Sequence, residues 1–145
     1  MNFNCDNGIL ELSEKLSLSP YMKKKEILSQ NVIWEEWFPK INGVVFNYRT
    51  VIDIKDIHGH EKITVVINFN GSSLDSSSLK SWLCAPTHKF TGQQKRPEGK
   101  LTKALRTWFN SRTAIILPVS ADWGIIDAAY DPHNQTAEIV CHYTQ

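Results

Sequence analysis

Two periodicities divide this chain. From Gly8, the apolar positions Ile9, Leu12, Leu16 and Leu18 approximate one helical stripe, with Glu11, Glu14 and Lys15 opposite, which predicts a short helix. Ser19-Pro20 then offers an N-cap and a proline suited to the first turn, so a second short helix is expected, carried by Lys23 to Gln30. The stretch 31–42 is ambiguous and ends at the breaker Pro39 and the turn pair Asn42-Gly43. From Val44 the period becomes two. Val44, Phe46, Tyr48, Thr50, Ile52 and Ile54 fall on one face, opposite Asn47, Arg49, Asp53 and Lys55. After a Gly-centred turn over 56–61, Ile63, Val65, Ile67 and Phe69 alternate with the outward Lys62, Thr64 and Asn68, and the two runs predict a hairpin.

Further along, the serine-rich stretch 70–78 reads as a solvated loop, Ser81 to Ala85 as a third strand stopped by Pro86, and Thr87 to Gly99 as a mobile loop. Lys100 to Ser111 reads as a helix with Leu101, Ala104, Leu105 and Trp108 on one stripe. Thr113 to Val119, Trp123 to Tyr130 and Thr136 to Tyr143 are expected strands, the last two joined by a turn over 131–135. The fold class that follows is α+β: a single domain whose largely antiparallel sheet is built of hairpins, with short N-terminal helices and one helix near residues 100–111.

Composition narrows the class of protein. At 145 residues, with 41% hydrophobic and 21% charged, the chain is long enough for one packed core and too apolar for disorder. No apolar run approaches the roughly 18 residues of a membrane span. The N-terminal stretch lacks the basic and apolar regions of a secretory signal. Three scattered cysteines, an odd number, suit a reduced cytoplasmic protein.

Charge carries more information than its total of +1. Lys89, Lys95, Arg96, Lys100, Lys103, Arg106 and Arg112 stand against Glu98 alone, so the segment 89–112 carries +6 and the rest of the chain −5. A basic loop running into a helix, with Trp108 and Phe109 beside it, has the composition of a single-stranded nucleic-acid-binding module; Lys95, Arg96, Lys100, Lys103, Arg106 and Arg112 would be its phosphate contacts. The acidic remainder offers a different reading. Trp34, Glu35, Glu36, Asp53, Asp56, Glu61, Asp122 and Asp127 are acidic and aromatic groups suited to recognising a basic protein partner. Trp34 and Trp37, three apart, would share a face on a helix, although paired tryptophans in a small domain commonly belong to the core.

Catalytic signatures are missing. There is no Gly-x-Ser-x-Gly elbow and no phosphate-cradling glycine motif. His58-x-His60 and Cys84-x3-His88 lack the spacing of a structural zinc site, so neither metal nor cofactor is expected. A small hydrolase acting through Cys84 or His58 would be a generic pairing that any chain of this size offers.

The order of motifs resembles one family. Leu18, Pro20, Met22 and Glu26 stand as Leu-x-Pro-x-Met-x3-Glu, similar to the opening of bacterial immunity proteins. The Trp34 region, the strand pair from Val44 to Phe69 and the closing stretch from Trp123 to Val140 resemble the same group. The resemblance is to immunity proteins of the contact-dependent growth inhibition (CdiI) type or of related polymorphic-toxin systems. It implies a cytoplasmic, non-enzymatic protein that forms a heterodimer with one cognate toxin domain, a nuclease, with cleavage of ribosomal RNA among the activities open to it, and blocks it by occlusion. It brings no catalytic residues. Nuclease inhibitors are commonly acidic, and this chain departs from that pattern.

Overall fold

The computed structural model describes residues 1–41, 44–57, 59–87 and 98–144. A three-stranded antiparallel sheet comes first: β1 (Asn2–Asn4), β2 (Ile9–Ser13) and β3 (Leu16–Leu18) in the order β1-β2-β3. The predicted first helix is therefore a hairpin. Its apolar residues fit both periods, and the alternating pairs Leu10/Leu12 and Leu16/Leu18 win, because all four are fully buried, whereas Ile9, taken for the stripe, is only half-buried. Gly8 fixes the entry. It has φ +73°, and a Cβ there would stand 2.7 Å from the indole of Trp123.

The second helix, α1 (Lys24–Leu28), begins later than the Ser19-Pro20 signal. Tyr21 takes φ 63°, which breaks the helical path. No side chain caps α1; instead the serine loop supplies acceptors, with Lys24 N–H donating to Ser77 O at 2.9 Å and Lys25 N–H to Leu74 O at 3.2 Å. That loop is less solvated than its composition implies, since Ser77 and Ser78 are buried.

The second sheet has seven antiparallel strands: β4 (Glu35–Ile41), β5 (Val44–Asp56), β6 (Gly59–Phe69), β7 (Leu79–Pro86), β8 (Val119–Ala121), β9 (Gly124–Asp131) and β10 (Thr136–Tyr143), in the order β4-β5-β6-β7-β10-β9-β8. The 5–6 hairpin runs in unbroken register from Asn47↔Asn68 to Asp56↔Gly59. The helix α2 (Glu98–Thr113) is as expected. The strand expected over 113–119 is not formed: Thr113 closes α2, Ala114 at φ 62° turns the chain, and pairing starts only at Val119, after Pro118, which has no N–H to give a ladder. The mobile loop expected from Thr87 to Gly99 falls largely outside the described residues.

One face of the large sheet is the core. Ile52, Ile54, Ile63, Val65, Ile67, Trp82, Cys84, Ile139 and Cys141 are buried there, and α2 covers them with Leu101, Leu105 and Phe109. The small sheet packs on the same side: the ring of Phe3 meets Trp82 at 6.3 Å, Phe109 at 6.2 Å and Trp123 at 5.5 Å, all edge-to-face. A buried hydrogen-bond chain ties the ends together. Trp82 Nε1 donates to Tyr143 Oη at 2.9 Å, and Tyr143 Oη donates to Gly8 O at 2.6 Å.

Candidate partner-binding surface

The acidic residues do not form one patch. β4 and β8 are opposite edges of the sheet, so Glu35 and Glu36 lie about 30 Å from Asp122, six strand spacings of roughly 4.8 Å away. Glu35 is exposed and pairs with Arg49 at 2.7 Å; Asp53 is exposed and meets His60 at 3.1 Å. Asp53 and His60 also line an open groove of about 630 Å³ beside the β2–β3 turn. Asp122 is exposed between β8 and β9. Asp56 ends β5 opposite Gly59, and its side chain lies outside the described residues.

Two members of the acidic set instead hold two members of the basic set. Arg112 donates to Glu61 Oε1 at 2.6 Å, and Trp108 Nε1 donates to the same oxygen at 2.9 Å. Arg106 makes a two-pronged bond to Asp127, at 2.9 and 3.0 Å, and this bonding raises its already high pKa. These four residues fasten α2 to β6 and β9; the Arg112–Glu61 pair is largely buried, whereas the Arg106–Asp127 pair lies at the surface. Lys100 and Lys103 remain exposed on α2, while Lys95 and Arg96 lie outside the described residues.

The tryptophans separate as well. β4 is extended and begins at Glu35, so Trp37 lies in a strand and Trp34 just before it, not on the shared face of a helix. Trp34 is half-buried and donates to Ile27 O at 3.3 Å. Trp37 lies under the guanidinium of Arg49, 5.0 Å from the ring centroid.

The second face of the large sheet is built differently from the first. In β6, β7 and β10 buried positions alternate with half-buried ones. Cross-strand register puts Arg49, Val66, Leu83 and Val140 in a row on this outward side. Glu35 and Asp127 continue this row on β4 and β9, and Val51 and Ile125, 41% and 46% exposed, lie in neighbouring rows. Glu138 stands among these residues, opposite Ala129. Burial raises its pKa, and its carboxylate accepts a 2.7 Å bond from Thr136. Sequence reasoning passed over Val66, Leu83, Val140 and Glu138. The signal was there: each apolar one is the outward member of a strand already apolar inward, which marks a face that avoids water on both sides.

Chemistry at Cys84 is poorly supported by its surroundings. It is fully buried, and desolvation pushes its thiol well above the ordinary range; Cys141 is pushed up to about 12 for the same reason. His58 and His88 lie outside the described residues. Among the described residues, no three His, Cys, Asp or Glu side chains converge into a metal-holding group.

A model of the RhsI1 immunity protein family matches residues 1–145. A chain of a solved structure described as "Rhs1-CT in complex with cognate immunity protein RhsI1" is 40% identical, with 99% of this chain and 86% of that chain covered and a TM-score of 0.85. A search of the curated proteins finds no match. The chain is thus an immunity protein of a bacterial polymorphic-toxin system. Within that class the chain belongs to the RhsI1 immunity protein family, the Rhs rather than the contact-dependent inhibition branch of the resemblance.

Proposed function

We propose that this protein binds the C-terminal toxin domain of a cognate Rhs protein in a one-to-one complex and neutralises it by covering the surface the toxin needs. The reading is carried by one observation: the family match and the likeness to a chain of the Rhs1-CT complex both extend over essentially the whole fold. The protein acts in the cytoplasm, uses no cofactor and performs no catalysis; no described helix is long and apolar enough to cross a membrane. Its toxin is a nuclease, by extension from the family resemblance. The nucleic-acid reading loses support, because Arg106 and Arg112 are bound to Asp127 and Glu61.

The test is co-expression with the toxin domain encoded beside this chain. The two are expected to co-purify as a heterodimer, and cells expressing the immunity protein are expected to grow when the toxin is induced. Nucleic-acid degradation in unprotected cells checks the toxin's activity. Separate elution with no rescue of growth rejects the proposal.

A further inference from the structure

The outward face of the seven-stranded sheet combines four properties. First, α2 and the small sheet bury their apolar residues against the other side and reach this one only at its margins, through Arg106 to Asp127 and the β2–β3 turn beside Asp53 and His60, and every outward residue of β6, β7 and β10 but Ser81 stays half-buried or exposed. Second, its centre is apolar, through Val66, Leu83 and Val140. Third, one end carries Arg49 stacked on Trp37, and tryptophan and arginine are the types that anchor protein interfaces. The stack also preorganises Arg49, so less side-chain freedom is lost on docking. Fourth, Glu138 holds a half-buried carboxylate whose described hydrogen bond comes from a neutral hydroxyl.

Four strand spacings of about 4.8 Å, from β4 to β10, by the eight residues of β7 at about 3.3 Å give a face of roughly 500 Å², the larger part of the ~800 Å² that each partner of a standard interface buries.

We propose that this face, from Trp37 and Arg49 through Val66, Leu83 and Val140 to Glu138, is the docking surface for the toxin domain, and that Glu138 receives a cationic side chain of that domain. The inference rests on the functional reading above and gives that reading a location. Charge complementarity specifies the occupant. A carboxylate already partly stripped of water loses little more on docking, and a Lys or Arg arriving within the apolar collar is shielded from salt. The partner surface is therefore apolar around a projecting cation. An oligonucleotide does not fit, since its phosphates would face Glu138.

The experiment measures the affinity of the purified neighbouring toxin domain for the full-length wild type and for Glu138→Lys, Leu83→Glu and Arg49→Ala, with Glu11→Lys on the small sheet as control. Circular dichroism melts establish that each variant is folded; Arg49→Ala, at a half-buried position, keeps the test alive if Leu83→Glu does not fold. The expected result is a loss of at least about tenfold for the face variants, with the control unchanged. Wild-type affinity in folded Glu138→Lys and Arg49→Ala overturns the location while leaving the immunity function standing. Absence of binding by the wild type overturns the function itself, and the location with it.

Discussion

A carboxylate held among apolar neighbours keeps its proton more tightly than one in water, and Glu138 is such a group. Burial raises its pKa, the Thr136 hydroxyl opposes the shift, and the charge of Asp131 adds to it. The folded chain thus binds this proton more strongly than the unfolded chain, so stability contributed at Glu138 falls as pH rises through the carboxylate range. At neutral pH the ionised group works against the fold. Glu138→Gln is expected to melt higher than wild type at pH 7, with the difference closing below about pH 4, where the unfolded carboxyl is itself protonated. Melting curves across that range check the sign. A residue that lowers stability yet sits on the proposed docking face fits the general pattern that binding sites carry local strain.

At the scale of elements, the two ion pairs of α2 are unequal. The Arg112 and Glu61 side chains are 9% and 14% exposed, whereas Arg106 and Asp127 are 42% and 31% exposed. Glu61→Ala removes a partner from a desolvated guanidinium and from the Trp108 indole together, with an expected loss of about 3 kcal/mol. Asp127→Ala breaks a wetter pair and is expected to lose less than about 1 kcal/mol. Urea denaturation of the two variants tests the ranking. These pairs also show where sequence reading stops. The hairpin of β5 and β6, the strands β7, β9 and β10 and the helix α2 were legible because each had a single dominant period. The small sheet was not, because Leu12 and Leu16 satisfy both a helical and an alternating spacing. The acidic and basic sets were legible as charge, but sequence carries no record of which Asp or Glu a distant Arg will meet, so the ties of Glu61 to Arg112 and of Asp127 to Arg106 could not be read from it. Glu35 and Asp53 did prove exposed.

For the whole molecule, the Tyr143 hydroxyl is the point where the two sheets and both chain ends meet. Desolvation raises its pKa beyond reach, so it remains a neutral donor to Gly8 O and acceptor from Trp82. Tyr143→Phe leaves both groups without that partner in a buried place, and a loss of about 1–3 kcal/mol is expected. Calorimetry of the variant checks it, with the unfolding still a single transition if the sheets remain one cooperative unit. The same contact sets an order in time. A chain emerging from the ribosome presents the strands around Gly8 first and the residue that completes their hydrogen bonding 135 positions later. A newly made copy completes this contact only once β10 has emerged, so the stock of finished molecules, and not of nascent chains, sets how much of the proposed toxin binding a cell can supply.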